Sequence, residues 1–331
     1  MLQNVPQTRK GGLRIFTLDI ESPRDWVFEN VTSCLLCGSG KSTVIYRKTI
    51  RSIFLQFVKC VGCGLVYQSP RLTRTALASY FSSSTFISDS KSGEQSLENQ
   101  LGYFDYFSWD GSYKKTARFR LERIARYKKA PARLLEIGTA TGSFLDEARK
   151  AGYSVRGVDV SKAFAEIARK NYGLEIDTEF IEELPLPANA YDVICVFGGI
   201  SCWMDPIKGF KNIRRSLKKD GVLVMNHPDI ESPVPRLLRD RYPEFNHASL
   251  TIFSNRTIRE CLQRTGFRPI LMETERQYAT FGRVVTYLKS RRGVNLVKRL
   301  GLTDLSLPLL AFGTTFTVCV PDYGQPSTEM R

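Results

Sequence analysis

The sequence has no uninterrupted apolar run of the length that a membrane span requires. A transmembrane helix needs about 20 mostly apolar residues, whereas the longest apolar stretch, Leu305–Val320, is broken by Pro308, Gly313 and several threonines. The amino-terminal segment also lacks the apolar core of a secretory signal. Its charged residues include Arg9, Lys10, Arg14 and Asp19. These absences predict a cytoplasmic protein without a membrane span.

The sequence has fewer acidic than basic residues. There are 33 acidic residues against 48 lysines and arginines, which leaves a formal net charge of +15. Positive charge of this size attracts nucleic-acid phosphates, anionic lipid surfaces or acidic small molecules. Much of it lies in two stretches, Lys114–Arg133 and Arg236–Arg299. Either stretch could equally be a solvated face that keeps the protein soluble, so the charge alone does not select a partner.

Because there is no secretion signal, the eight cysteines do not indicate a disulfide framework. Four of them form the pairs Cys34-x2-Cys37 and Cys60-x2-Cys63, which 22 residues separate and which glycine follows in each case. Two tight thiolate turns of this kind supply a closed tetrahedral zinc site with no open position for a substrate. The spacing predicts a structural zinc ribbon; the alternative is four unconnected core cysteines. The other four are expected to pack in the core: Cys195, Cys202, Cys261 and Cys319.

From Arg133 onward, short apolar strands alternate with helix-length amphipathic segments. This pattern predicts an α/β fold with a doubly wound, Rossmann-like parallel sheet. Towards the end of the chain we expect a helix over Asn255–Thr265 and strands over Phe267–Glu273 and Thr315–Val320.

The predicted layout has five parts. They are an amino-terminal extension (1–30) with a short strand at Leu13–Leu18, a zinc ribbon (31–70), a helical cap or lid (71–130), an α/β domain (131–322) with an insertion at about 277–313, and a tail (323–331). Within the cap, the polar run Phe81–Asn99 is expected to be a loop. A basic amphipathic helix follows, because Tyr113, Ala117 and Leu121 recur at helical spacing.

The turn Glu136-Ile137-Gly138-Thr139-Ala140-Thr141-Gly142 lies where the first strand becomes the first helix. Its glycines allow a sharp turn and a close approach of the backbone to a ligand. Asp159 ends the next strand, 21 positions after Gly138, where a carboxylate can accept both ribose hydroxyls of an adenosine. A nicotinamide fingerprint would need glycine where Ala140 and Ser143 stand. The alternative is a doubly wound domain that binds another nucleotide or none.

The acidic residue and the glycines of this turn resemble the first motif of class I methyltransferases. Later runs extend the resemblance over about 132–322: VDVS at 158–161, ELPLPANAYDVI at 183–194, and an ordered pattern from Asp205 to Met225. The resemblance implies S-adenosylmethionine as cofactor and a set of cofactor-binding residues. These are Glu136, Gly138, Thr139, Ala140 and Gly142 at the methionine part, Asp159 at the ribose, Val160, Ile181 and Glu182 at the adenine, and Phe197 and Gly198 beneath the sulfonium. Ala140 departs from the usual glycine.

The run CxxCGLVYQSPRLT, which ends the cysteine module, resembles the start of bacterial methyltransferases from polysaccharide, deoxysugar and natural-product pathways. This resemblance implies a small-molecule acceptor such as a sugar or glycolipid. The sequence differs from these relatives at two places that bear on the acceptor atom. Ser201 and Cys202 stand where many relatives have Glu-His, and Asn246-His247-Ala248-Ser249 replaces the Tyr-His-Glu-His run of C-methylating relatives. They favour O- or N-methylation over C-methylation.

Only two histidines are present, His227 and His247, and both follow strands that should converge on the acceptor pocket. Either is a candidate general base, and for each the alternative is an ordinary loop or core residue. Four aromatic residues before the first strand are candidates for a lid or a packed cap: Tyr103, Tyr106, Trp109 and Tyr113.

Two rival functions stay open at this point. The zinc ribbon, the net charge and the aromatic residues are compatible with a nucleic-acid methyltransferase, although no Asn- or Asp-Pro-Pro-Tyr motif follows the fourth strand. The missing Glu-His pair is compatible with a non-catalytic scaffold that retains the cofactor fold.

Overall fold

The computed structural model describes residues 27–50, 53–82, 110–239, 242–280, 296–297, 299–302 and 305–323. The predicted strand at Leu13–Leu18, most of the predicted loop at Phe81–Asn99, and the aromatic residues Tyr103, Tyr106 and Trp109 lie outside the described residues. Among the described residues, no helix combines the length and the apolar character that a bilayer crossing requires.

The strands, in chain order, are β1 Phe28–Glu29, β2 Ser42–Ile50, β3 Ile53–Cys60, β4 Val66–Gln68, β5 Arg71–Leu72, β6 Arg133–Ile137, β7 Ser154–Val158, β8 Ile176–Asp177, β9 Tyr191–Phe197, β10 Leu217–Pro228, β11 Thr251–Ile252, β12 Phe267–Thr280 and β13 Ser306–Pro321. The α-helices are α1 Arg74–Ser82, α2 Asp110–Ile124, α3 Ser143–Lys150, α4 Lys162–Tyr172, α5 Pro206–Ser216, α6 Pro233–Leu238 and α7 Asn255–Arg264.

A seven-stranded sheet in the order β12-β13-β10-β9-β6-β7-β8 forms the centre of the molecule. Strands β8, β7, β6, β9 and β10 run parallel, and β13 is antiparallel to both β10 and β12. The chain moves outward from β6 in both directions, which makes the edge of the sheet between β6 and β9 the topological switch point where α/β proteins bind ligands. The predicted doubly wound α/β fold is confirmed.

The helices begin where short polar side chains cap them. Ser161 Oγ accepts from the amide of Phe164 at the start of α4, and Asp205 Oδ1 accepts from the amide of Lys208 at the start of α5, with Pro206 in the first turn. Such caps satisfy amides that have no partner within the helix. Helices α2, α3 and α4 cover one face of the sheet, and α5 and α7 cover the other together with the cysteine module.

The two last strands are longer than predicted. The strand expected at Phe267–Glu273 continues to Thr280, and the one expected at Thr315–Val320 begins at Ser306. The cause is mutual pairing, because β12 and β13 keep hydrogen-bonded partners as far as Thr280 and Ser306. Parts of the predicted insertion at 277–313 are therefore strand. Strand β8, expected over Leu174–Phe180, is reduced to two residues.

The cysteine module is built into the rest of the protein by backbone pairing. Strand β11, which comes from the segment before α7, joins β4 and completes a four-stranded sheet in the order β11-β4-β3-β2. The buried Gln68 amide donates to the carbonyl oxygens of Asn246 and Ser249. Two arginines of α7, Arg256 and Arg264, donate to carbonyl oxygens of the module. The module and the segment 246–253 thus hold each other in place.

Candidate cofactor pocket and cysteine cluster

The turn between β6 and α3 has the backbone conformation that its glycines predict. Gly138 and Gly142 adopt φ values of 81° and 83°, in the left-handed region that glycine enters without penalty. The amide of Gly138 donates to the carbonyl oxygen of Val158 at 2.7 Å, which ties the turn to the end of β7. Ala140 adopts a φ of 44°, so this residue takes a conformation that its Cβ disfavours.

Asp159 follows β7 and faces the turn. Its Oδ2 accepts from the amide of Ala140 at 2.7 Å and its Oδ1 accepts from the amide of Ser161 at 2.8 Å. Burial raises the pKa of Asp159 to about 6, and the two amide hydrogen bonds oppose that rise. Because each carboxylate oxygen can accept more than one hydrogen bond, both oxygens can still bind a pair of hydroxyl groups.

An open cavity lies at the carboxyl ends of β6, β7 and β9, which is where α/β proteins bind small molecules. Eight of the eleven sequence-predicted cofactor residues line it: Gly138, Ala140, Asp159, Val160, Ile181, Glu182, Phe197 and Gly198. Glu136, Thr139 and Gly142 belong to the same turn but are not among the lining residues. The geometry brings the predicted residues together, while their roles in binding stay predictions.

The sequence analysis missed several aromatic residues of the cavity wall, namely Phe81, Phe164, Phe180 and Trp203. Phe81 ends the apolar face of α1, and its carbonyl oxygen accepts from Ser161 Oγ at 2.7 Å. The guanidinium of Arg74 lies 4.7 Å from the centre of the Phe180 ring. A signal for Phe180 was available, because it directly precedes the predicted adenine-site pair. Phe81 lies far away in sequence and gave no such signal.

Glu182 is buried and uses only one carboxylate oxygen within the protein. Its Oε1 accepts from the amide of Asp205 at 3.0 Å, whereas its Oε2 has no hydrogen-bond partner among the described residues. A buried acceptor without a partner is costly. Since Glu182 lines the cavity, a ligand with a hydrogen-bond donor at this position would supply the missing partner.

Next to the turn lies a group of charged side chains that includes Glu136, which was predicted at the methionine part of the cofactor, and Arg120 of the basic stretch Lys114–Arg133, for which a solvated face was one of two interpretations. Glu136 is 3% exposed, and burial raises its pKa well above the usual value, while Arg120 opposes this rise. The Arg120 guanidinium lies 4.1 Å from the centre of the Phe197 ring and 3.4 Å from the Glu275 carboxylate. Helix α2 thus connects the cavity wall to β12.

The structure does not bring the two histidines to the cavity lining. His227 is fully buried at the end of β10, where its Nε2 lies 3.1 Å from Asn255 Oδ1. Burial lowers the pKa of His227 to about 4, so the ring is neutral near pH 7. His247 is also fully buried, in the segment that pairs with the cysteine module. A catalytic role for either histidine stays a prediction without a cavity position to support it.

Instead, the residue next to His227 faces the cavity edge. Asn226 Oδ1 accepts from the amide of Gly198 at 2.8 Å. Successive side chains of a strand point to opposite faces of the sheet, which is why Asn226 reaches Gly198 and His227 reaches α7.

The four cysteines of the module meet in one cluster. The Sγ atoms of Cys34, Cys37, Cys60 and Cys63 all lie within 4.8 Å of one another, and the Cys34–Cys63 and Cys37–Cys60 sulfur distances are 3.5 Å. Four thiolates at ~2.3 Å from a central zinc ion stand ~3.8 Å apart. None of the four forms a disulfide. The donor set and its spacing fit a tetrahedral zinc ion.

Each cysteine pair lies in a similar backbone turn. The amide of Gly38 donates to Cys34 O at 2.8 Å, and the amide of Gly64 donates to Cys60 O at 2.9 Å. The two turns face each other across the cluster. Cys195, Cys261 and Cys319 are buried elsewhere, as expected for packing residues, whereas Cys202 lines the cavity.

Several known proteins that resemble part of this chain are methyltransferases. Residues 110–271 match the family described as methyltransferase domain. An uncharacterized methyltransferase, YdaC of Bacillus subtilis, is 32% identical over 93 residues, which are 27% of this chain and 51% of YdaC. Demethylmenaquinone methyltransferase of Chlorobaculum parvum is 30% identical over 132 residues, which are 39% of this chain and 54% of that protein. The chain thus spans about half the length of these curated relatives.

One solved structure shows the same fold over most of this chain. It is a chain of the complex that contains the Haloferax volcanii Trm112 methyltransferase activator, with a TM-score of 0.50 and 18% sequence identity. The similarity covers 68% of this chain and 98% of that chain.

Proposed function

We propose that this chain, whose residues 110–271 form a methyltransferase domain, transfers the methyl group of S-adenosylmethionine to a small-molecule acceptor. One observation carries the proposal. The carboxylate of Asp159, held by two backbone amides, and the open glycine turn border one cavity at the switch point of the sheet. A carboxylate in this position is suited to the two hydroxyls of a ribose.

Each part of the cavity has a role in this proposal. Asp159 accepts from the ribose hydroxyls, and the backbone at Gly138 allows the methionine part to approach closely. The free Oε2 of Glu182 accepts from the adenine amino group, which removes the cost of an unpartnered buried acceptor. Phe180 and Trp203 pack against the adenine and exclude water from it.

S-adenosylmethionine supplies an electrophilic methyl group, and the protein's part is to align the acceptor with it. A base is needed only where the acceptor must lose a proton. Since neither His227 nor His247 is among the residues that line the cavity, an acceptor that is nucleophilic without help from a histidine fits best. We therefore keep as the acceptor atom a nitrogen with a free lone pair or an oxygen that is already ionised, because neither must give its proton to a base before it attacks. The alternative is methylation of a carbon atom, because one relative, UbiE of Geotalea uraniireducens, is named as a C-methyltransferase.

Calorimetry with S-adenosylhomocysteine tests the cofactor site. Asp159→Ala is expected to weaken binding by at least tenfold, because it removes two hydrogen bonds to a charged acceptor, each worth ~1.5 kcal/mol or more. Asp177→Asn is the matched control, since Asp177 ends the neighbouring strand β8 and pairs with Arg156 outside the cavity. Equal affinities for the wild type and Asp159→Ala would refute the site.

Turnover with isotopically labelled cofactor and cell extract tests the acceptor class. A labelled small molecule that carries a new O-methyl or N-methyl group is expected. A new carbon–carbon bond would refute the proposed acceptor atom, and label found in RNA would refute the small-molecule class. Transfer to any acceptor eliminates the non-catalytic scaffold.

We also propose that Cys34, Cys37, Cys60 and Cys63 hold one zinc ion with a structural role. The cluster has four thiolate donors and no position left for a substrate. Metal analysis should find one zinc per chain in the wild type and none in Cys34→Ser/Cys37→Ser. Cys261→Ser, which changes a buried cysteine outside the cluster, should retain the metal. A metal content that is the same in all three proteins would contradict this assignment.

A further inference from the structure

The far half of the β12–β13 hairpin has the densest group of exposed apolar side chains. Of the sixteen large hydrophobic residues that are exposed in the described part of the chain, seven lie between 296 and 312. They are Leu296, Leu300, Leu305, Leu307, Leu309, Leu310 and Phe312. We call residues 305–312 the apolar arm. A concentration of this kind on a protein surface marks an interaction site.

The apolar arm exposes leucines on both of its faces. Opposite residues of an antiparallel pair point to the same face, and Leu309 is opposite Gln277 while Leu310 is opposite Arg276. Leu309 is 38% exposed and Leu310 is 45% exposed. Strand β10 pairs with β13 only from Thr314 onward. A flat protein partner would cover one face of the arm, whereas lipid chains can surround both.

Helix α6 extends the same surface. The amide of Asp229 donates to the carbonyl oxygen of Gly313 at 2.8 Å, and a Cβ at Gly313 would come within 2.9 Å of Val234. Helix α6 therefore packs directly against the end of the arm. Leu237, one turn beyond Val234, is 82% exposed, so α6 adds another exposed apolar side chain to this part of the protein.

Exposed arginines accompany the apolar residues: Arg236, Arg239, Arg276 and Arg299. The nearest acidic residues on β12 already have basic partners, because Glu273 pairs with Arg123 and Glu275 with Arg120. Among the described residues between 276 and 321, the charged side chains are Arg276 and Arg299, and both are exposed. Together with Arg236 and Arg239 they give the described surface around the arm an excess of positive charge.

We propose that the apolar arm and α6 dock this protein onto the surface of an anionic lipid bilayer. Apolar side chains that enter the headgroup region and basic side chains that bind anionic headgroups are the two components of such docking. A second copy of the chain fits less well, since a twofold contact brings together two copies of the same positively charged surface. Nucleic acid would bind the arginines but leave the leucines in water. The proposal goes beyond the methyl transfer proposed above and does not depend on it.

Vesicle flotation tests the proposal. The protein should float with vesicles of equimolar phosphatidylcholine and phosphatidylglycerol, but not with phosphatidylcholine alone, and raising the salt from about 0.01 M to about 1 M should release it. Leu310→Gln/Phe312→Gln should lower the partition coefficient by more than about tenfold. Arg236→Gln/Arg276→Gln should lower it by about fivefold for each arginine. The matched control is Phe54→Gln, because Phe54 is 46% exposed on β3 of the cysteine module.

Several results would overturn the proposal. One is a wild-type protein that stays with the unbound fraction at low salt, and another is equal loss of binding in Phe54→Gln and Leu310→Gln/Phe312→Gln. A dimer that the leucine variant dissociates, without vesicle binding, would assign the surface to a second copy. Single-stranded RNA binding with the same variant dependence, again without vesicle binding, would assign it to nucleic acid. An unchanged circular dichroism spectrum and an unchanged thermal midpoint show that each variant is folded. If the leucine variant is not folded, vesicle binding by the arginine variant decides.

Discussion

Replacing Gly142 with alanine should destabilise the protein through two separable effects. The residue has a φ of 83°, and a side chain in the left-handed region costs about 1 kcal/mol. The new Cβ would also lie 2.8 Å from Leu174 Cδ1 and 2.9 Å from Ala168 Cβ, where crowding typically costs about 1–3 kcal/mol. We expect a total loss of about 2–4 kcal/mol in the free energy of unfolding, measured by urea denaturation.

Gly173→Ala isolates the first effect. Gly173 has a φ of 63°, and a Cβ there would meet no atom within 4 Å, so only the backbone cost of about 1 kcal/mol applies. Both variants restrict the unfolded chain equally, and this contribution cancels in the comparison. Because Gly142 begins α3 at the cofactor turn, its variant should also bind S-adenosylhomocysteine more weakly than Gly173→Ala. Equal losses of stability in the two variants would refute the crowding that the structure indicates.

Three further predictions concern the charges and the metal. Burial raises the pKa of Asp159 to about 6, and only the ionised carboxylate can accept through both oxygens with a negative charge, so calorimetry should find S-adenosylhomocysteine affinity falling as the pH decreases through about 6, by up to about tenfold per pH unit below it. Asp159→Asn should remove this dependence of affinity on pH, and a wild-type affinity that is constant to about pH 5 would contradict the assignment. The second prediction concerns the proposed zinc ion. A strong chelator should lower the thermal midpoint of the wild type, as measured by circular dichroism, but should leave that of Cys34→Ser/Cys37→Ser unchanged. Arg120→Met should cost up to about 3 kcal/mol in urea denaturation, since it removes the ion-pair partner of the buried Glu275 carboxylate and leaves Arg123 as the remaining nearby cation. Arg120→Met/Glu275→Leu should recover most of that loss, and failure to recover it would show that the two side chains do not act as a pair.

The features that sequence analysis predicted well depend on short-range spacing. The glycine turn, Asp159 at the end of the following strand, and the two cysteine pairs are each defined by residues close to one another in the chain. Their local geometry is limited by sterics, and the regular alternation of strands and helices determines which strand ends meet. The cavity and the cysteine cluster therefore appear where the motifs indicated.

The features that were missed depend on contacts between distant segments. Phe81 reaches the cavity because α1 packs beside α4, and β11 joins the cysteine module across about 180 residues of chain. Such contacts leave no local pattern in a single sequence. The histidines show that the position of a residue in a strand can be predicted while the direction of its side chain is not. His227 was placed correctly at a strand end, but the alternation of side chains turned it towards Asn255 and turned Asn226 towards Gly198.

The pairing of β4 with β11 also sets an order of events during protein synthesis. The ribosome completes the four cysteines by residue 63, yet the strand that closes their sheet ends at Ile252. At typical elongation rates, about 10 to 40 s separate the two. During this interval the edge of β4 has no β11 beside it, and the zinc ion proposed for the cysteine cluster would be the strongest constraint on the nascent module. Metal supply at the moment of translation would then govern the yield of folded protein more than metal supply afterwards.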